Sequence, residues 1–344
     1  MSLIAVVCGE PQREEKSVLK RLFPEGACLG ADQIKTLRQD TCLFAWQASH
    51  YAHSVPPLWT YQTPDKSLTV LFNGRIFNAA EIAQTLLVRD ARNLAELLAQ
   101  GYLKWGRDVL PRLRGQFAFV LRDELRKHVF AARDPFGLVP LYFSRIKDGL
   151  ALTTTAKQLY RLDESNSGPN DALVAEYLTS DIYRNRLFNR PETLFNGVER
   201  VLPGHCLLWS DKGVEQTCYW NPQDIMRQPK LKKPDPEQYL ALLKDVIADQ
   251  CGDFSGVAGA ISGGLDSTAI LMLMHQLDSK RIIPTVSMSI GGREINESEN
   301  IHAVLEKVRA EPHWVDPDDV NMFDMFGEAS WQQECPFYSP SPPI

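Results

Sequence analysis

The stretch "GAISGGLDSTAI", Gly259 to Ile270, decides how the second half of this chain is read. A short apolar run stops at Ser262, Gly263 and Gly264, and Leu265-Asp266-Ser267 then opens a helix-forming run. A loop between a buried strand and a helix start leaves backbone N–H groups unpaired and pointing outward. The helix dipole adds partial positive charge there. Glycines at 263 and 264 let an anion approach the backbone with no Cβ in the way. Ser262 and Ser267 can donate hydroxyl hydrogen bonds to phosphate oxygens. Asp266 would repel a bare phosphate, so it makes sense beside a cation such as Mg2+ bridging to the phosphates. The lysine of the Walker loop is missing. The expected ligand is a nucleotide held by its pyrophosphate. The competing reading is an ordinary glycine-rich turn with Asp266 as a cap.

Around this loop the pattern alternates. "GVAGAI" precedes the helix "STAILMLMHQL", "IIPTVSMSI" precedes "SENIHAVLEKVRA", and "HWV" precedes "DDVNMFDMFGEASW". Strands alternating with helices of this length imply a parallel sheet with right-handed crossovers. Ligands of such sheets sit at the carboxyl ends of the strands, where "SGGLDS" lies.

The first half reads differently. "SLIAVVCG", "CLFAWQAS" and "SLTVLFNGRIF" are apolar and β-prone, and "AAEIAQTLL" and "NLAELLAQGYLKWG" carry helical spacing. "GQFAFVLRD-ELRK-HVFAARD" reads as a hairpin, and "VPLYFSR" and "GLALTTT" as further strands. The expectation is a strand-rich domain with two helices. "NPQDIMRQPKLKKPDP", Asn221 to Pro236, reads as a linker, and Asp235-Pro236 as the cap and first turn of a helix through "EQYLALLKDVIADQ".

With 344 residues, two domains are expected: 1–220, then the linker 221–236, then 237–344. Hydrophobic residues make up 44% and charged residues 23%, as in a soluble globular protein. The net charge of −6, with signs interspersed, argues against a nucleic-acid partner. No apolar run is long enough to span a bilayer, and the N-terminus lacks the regions of a secretion signal. Seven scattered cysteines, read as unpaired, point to a reducing cytoplasm and no zinc site. His50, His53, His205, His302 and His313 have no triad or metal spacing and read as ordinary surface or core histidines.

The 262–267 loop resembles the pyrophosphate-binding loop of the ATP-pyrophosphatase enzymes, and within them the asparagine synthetase family. "FNGRIFN" (Phe72 to Asn78), "ARDPFGLVPLYF" (Ala132 to Phe143), "LPGH" (Leu202 to His205), Tyr219-Trp220, "TVSMS", "NESENIHAVLEKV" and "ECPFYSPSPPI" extend the likeness over almost the whole chain. The resemblance implies a class II glutamine amidotransferase domain of stacked antiparallel sheets with helices, an Ntn-hydrolase-like α+β fold. It implies a Rossmann-like α/β synthetase domain after it. It implies ATP and Mg2+ as cofactors, a small-molecule carboxylate and an amine as substrates, and adenylation of the carboxylate followed by amine attack. Ser262, Gly263, Gly264, Asp266 and Ser267 would hold pyrophosphate and metal, and Ser287 and Met288 would lie against the adenosine. Glu297 and Glu299 read as caps of the following helix.

The chain departs from the family at the glutamine site. Ser2 stands at the position of the N-terminal cysteine nucleophile, and Cys8 falls on a strand as a small buried residue. Arg75 replaces the glutamate that would bind the glutamine ammonium, and Asn93 stands for a second acid. Asn73 and Gly74, the oxyanion-hole pair, remain. A glutaminase domain kept for structure is expected, as in the similar β-lactam and carbapenam synthetases, which close an internal amide without ammonia. The sequence stops at Ile344, before the family's "GGDE"-type loop, so the expectation is either a fragment of a longer protein or a homodimer or partner chain that supplies the rest of the synthetase half. A silent scaffold or half of a split enzyme is the alternative of another class.

Overall fold

The computed structural model describes residues 3–9, 15–23, 33–47, 58–65, 67–89, 91–147, 149–162, 168–179, 190–227, 235–252, 256–288, 298–316 and 321–334. The chain divides into two compact units, Met1–Gln228 and Pro229–Ile344.

The first unit runs β1 (Leu3–Gly9), α1 (Glu15–Leu22), β2 (Lys35–Gln39), β3 (Cys42–Gln47), β4 (Leu58–Gln62), β5 (Leu68–Ile76), α2 (Ala79–Leu86) and α3 (Leu94–Trp105). It continues with β6 (Gly115–Asp123), β7 (His128–Arg133), β8 (Tyr142–Ile146), β9 (Gly149–Thr153), α4 (Ala156–Leu162), α5 (Asp171–Thr179), β10 (Glu199–Arg200), β11 (His205–Ser210), β12 (Gly213–Cys218) and α6 (Pro222–Met226). Its strands form two six-stranded antiparallel sheets, ordered β10-β8-β9-β1-β3-β2 and β12-β11-β7-β6-β5-β4.

Alternation along the strands stacks these sheets between helices. On β1, Ile4, Val6 and Cys8 meet Leu71 of β5 and Val120 of β6 in a core between the sheets. Leu3 and Ala5 turn the other way, onto Val18 and Leu22 of α1 and Leu159 of α4. On the second sheet, Val70 and Phe72 face Leu97 and Leu98 of α3. The result is helix, sheet, sheet, helix. Both sheets are buried on both faces, which is why β5 and β6 read as nearly unbroken apolar runs. The hairpin forms as expected, with Asp123 opposite His128. The expectation of two helices is too low: α2 and α3 form, but so do α1, α4 and α5. α1 and α4 are each under ten residues and take their stability from the sheet they cover, not from their own periodicity.

The cysteine reading is corrected. Cys8 is buried as expected, but it is bonded to Cys42, with Cα atoms 4.1 Å apart. The two residues are 34 apart in sequence, and the β1–β3 register brings them together. Among the described residues, Cys206 and Cys218 are free thiols.

In the second unit, α7 (Pro236–Cys251), β13 (Gly259–Ala260), α8 (Leu265–Leu277), β14 (Ile283–Met288), α9 (Ser298–Leu305), β15 (Ala310–Val315) and α10 (Met322–Gln333) alternate as read. The three strands form a parallel sheet in the order β13-β14-β15. Asp235 caps α7, accepting from the N–H groups of Glu237 (3.0 Å) and Gln238 (3.3 Å). Part of the expected linker is ordered, because Asn221 caps the short α6 with its side chain on Gln223 N (2.9 Å); residues 228–234 lie outside the described residues. Among the described residues, no helix is long and apolar enough to cross a membrane.

Candidate nucleotide site

The 262–267 loop leaves the sheet at the carboxyl end of β13, where Ile261 N–H donates to Val286 O of β14 (2.9 Å). Gly263 sits at φ +86°, in the left-handed region that favours glycine. Gly264 precedes α8 in extended conformation, and no side chain caps the helix. The amides of the first turn are therefore left for another acceptor. Ser262 and Ser267 close the loop: their hydroxyls lie 3.2 Å apart, Ser262 N–H donates to Ser267 Oγ (3.3 Å), and Gly264 N–H donates to Ser262 Oγ (3.3 Å). Asp266 is exposed on the first turn of α8. Amides, two hydroxyls and a short glycine-lined backbone form a cradle that fits a phosphate group. For a divalent cation the loop offers one carboxylate, and no group of three or more His, Cys, Asp or Glu among the described residues could hold a metal by itself. Mg2+ would need phosphate and water oxygens beside Asp266.

Ser287 and Met288 end β14. Alternation turns Ser287 into the packed face, 4% exposed, and Met288 outward, 42% exposed. A ligand on either face would meet one of these side chains and the backbone of the other. Glu299 lies in the first turn of α9, while Glu297 lies outside the described residues.

In the first unit Asn73 is buried on β5 and Gly74 follows at φ +127°. A Cβ at Gly74 would stand 2.0 Å from the Gln116 carbonyl oxygen of β6, so glycine is required there by the close approach of two strands. Arg75 is exposed next to them. Asn93 is the N-cap of α3, its side chain accepting from Glu96 N–H (3.1 Å). Ser2, His50, His53 and the segment 335–344 lie outside the described residues.

Three motifs far apart in sequence converge on one knot. Asp134, fully buried, accepts from the N–H groups of Phe136 (3.0 Å), Leu138 (3.1 Å) and Val139 (2.9 Å). Arg133 donates to the carbonyls of Gly137, Val139 and Val201, and burial pulls its pKa down. Gly204 of "LPGH" donates to Asp134 O (3.0 Å), and Tyr219 Oη donates to Arg133 O (2.7 Å). These motifs hold the connections between the two sheets of the first unit.

One polar cluster escaped the sequence reading. Tyr102 Oη lies 2.8 Å from His128 Nε2 and 3.2 Å from Asp123 Oδ2, and Arg126 Nη1 donates to the same Asp123 oxygen (2.7 Å). Burial and the Asp123 charge push the Tyr102 pKa up to about 12, so its hydroxyl stays protonated. The cluster joins α3 to the β6–β7 turn. Its residues are 102, 123, 126 and 128, and no motif spacing announces them. Of the expected ordinary histidines, His205 is within 2.8 Å of Pro203 O, His302 stacks on Trp314, and His313 is 3.7 Å from Glu311.

Residues 8–220 match the glutamine amidotransferase domain family and residues 238–344 the asparagine synthase family. A putative asparagine synthetase (glutamine-hydrolyzing) of Mycobacterium tuberculosis strain H37Rv is 34% identical over 236 residues, 64% of this chain and 35% of the relative. Asparagine synthetase (glutamine-hydrolyzing) 3 of Bacillus subtilis strain 168 is 27% identical over 207 residues, 59% of this chain and 33% of the relative. The chain spans about a third of the length of the curated relatives it matches. Among solved structures, a glutamine phosphoribosylpyrophosphate amidotransferase from B. subtilis covers 92% of this chain and 81% of its own at 14% identity and a TM-score of 0.42, a likeness that carries no functional argument.

Proposed function

The chain belongs to the glutamine amidotransferase domain family over residues 8–220 and continues into an asparagine synthase segment over 238–344, and on that premise we propose an ATP-dependent amide-forming ligase whose first domain no longer hydrolyses glutamine. The working division is an amidotransferase-like domain over 1–220, a linker over 221–236 and the N-terminal part of an ATP-binding domain from 237. The carboxylate substrate attacks the α-phosphorus of ATP, an acyl–O–P bond forms and pyrophosphate leaves. An amine then attacks the acyl carbon, the amide forms and AMP leaves.

The Ser262–Ser267 loop carries this reading, since it supports a phosphate chain without needing a lysine. Its amides and the Ser262 and Ser267 hydroxyls hold and orient the departing pyrophosphate. Asp266 is the carboxylate offered to Mg2+, which when bound offsets charge on the leaving group. Ser287 and Met288 border the adenosine. Loss of glutamine hydrolysis is supported by Arg75, which sets a guanidinium where an ammonium would have to sit, and by serine at position 2. The same departures favour a second reading, a cyclase that closes an amide within one substrate and needs no ammonia. A homodimer or partner chain is supported by the sheet of the second unit: Val286 and Met288 stand 43% and 42% exposed on one face, whereas parallel sheets are ordinarily covered on both.

Calorimetric titration of the purified chain with ATP and Mg2+ tests the proposal. Saturable, magnesium-enhanced binding is expected. Folded protein that binds neither ATP nor AMP overturns it and leaves a silent scaffold.

A further inference from the structure

We infer that Cys8 and Cys42 form a redox-controlled staple that fastens the α1–β2 excursion to the N-terminal sandwich. The inference rests on the ladder between β1 and β3. Cys8 and Cys42 are register partners, and the flanking bond runs from Gly9 N–H to Thr41 O (3.2 Å). That pattern marks a pair that exchanges no hydrogen bond of its own, the position in an antiparallel ladder where opposing side chains come closest. Both side chains are fully buried and point into the core between the two sheets, beside Ile4, Val6 and Phe44. Two thiols meet there because the backbone fixes them there.

The staple stands at the base of a loop that needs one. Between the two cysteines lie α1 and β2. α1 is held through Val18 and Leu22 on one face, and among the described residues β2 is an edge strand whose one strand partner is β3, with Gln39 its buried residue. Segments with one-sided contacts open more readily than a core strand such as β5, which is paired on both sides. A covalent link across the base restricts the open states.

The chemistry needs an oxidant, here a low-molecular-weight disulfide of the glutathione class. The Cys8 thiolate attacks a sulfur of the oxidant, breaking its S–S bond and releasing one thiol. The Cys42 thiolate then attacks the mixed disulfide at the Cys8 sulfur, forming the Cys8–Cys42 bond and releasing the second thiol. Two protons leave, and two electrons pass to the oxidant. Because both sulfurs are buried, exchange takes place while the sandwich is open, and the folded protein then keeps the state it acquired.

The experiment refolds the full chain from denaturant in an oxidised glutathione buffer, and separately in excess reductant, then alkylates under denaturing conditions and weighs the product. Of seven cysteines, less the two in the staple, five should be alkylated in the oxidised sample and all seven in the reduced one, with a peptide pair linked through Cys8 and Cys42. Hydrogen exchange should be faster in the reduced protein over α1 and β2 and unchanged over β5 and β6. A Cys42→Ala chain should lose the dependence of its melting midpoint on redox state. Seven adducts after oxidative refolding, or a link to any other cysteine, overturns the staple. Equal exchange over α1 and β2 in both forms overturns its fastening role, and that comparison needs no variant to fold.

Discussion

The hydroxyls of Ser262 and Ser267 lie 3.2 Å apart across the glycine turn; Ser267 Oγ accepts from Ser262 N–H and Ser262 Oγ accepts from Gly264 N–H. In that state they satisfy one another; around a phosphate they would part and donate to its oxygens. Ser267→Ala removes one donor while leaving α8 uncapped as before. ATP affinity should fall roughly tenfold, the equivalent of about 1.4 kcal/mol, as for one hydrogen bond to a charged group. Calorimetry reads the affinity, and an unchanged helical circular dichroism signal shows that the helix persists.

Asp266→Asn keeps the shape of the first turn and removes its charge. The loss of ATP affinity should be large in Mg2+ and small in chelator, since only the cation-dependent part uses the carboxylate. Equal losses in both buffers would show that the carboxylate does not act through the cation.

Glutamate release from glutamine should be absent in the unmodified chain. Ser2→Cys should not restore it, because Arg75 would still oppose the ammonium of the substrate. Ser2→Cys with Arg75→Glu should recover a trace. Turnover by the unmodified chain at an ordinary enzymatic rate would show the domain to be a working glutaminase.

Acid should loosen the first unit in two stages. Burial lowers the His128 pKa from its usual 6.5. A depressed folded value favours the neutral ring, so this contribution is present above about pH 6.5 and is lost as pH falls through the folded value. For Asp123 burial pushes the pKa up, but the Arg126 hydrogen bonds outweigh it and the net direction is down from 3.8. Its contribution is present above the unfolded carboxylate value and is lost below about pH 4. Urea midpoints measured across pH should show both slopes, and His128→Gln should flatten the upper one.

Thr285 is fully buried on β14, and its hydroxyl has no hydrogen-bond partner among the described residues. Thr285→Val replaces that hydroxyl with a methyl of similar volume. Stability should rise by about 1 kcal/mol, because an unsatisfied buried donor is removed. Denaturant midpoints check the sign.

What the sequence determined by itself is what short-range physics governs. The strand–loop–helix at 259–270, the Asp235 cap of α7 and the β6–β7 hairpin each depend on residues a few positions apart. Apolar period and turn chemistry are enough to read them. The resemblance of "ARDPFGLVPLYF" and "LPGH" was visible too, but not its reason, a knot of Arg133 and Asp134 with Gly204 and Tyr219. Tertiary structure alone decided the pairing of Cys8 with Cys42, the Tyr102–His128–Asp123 cluster and the short helices α1 and α4. Each rests on partners brought together by sheet register or by a covering face. Register and layer order arise from which distant strands pair, and a residue's own neighbours carry no record of that choice.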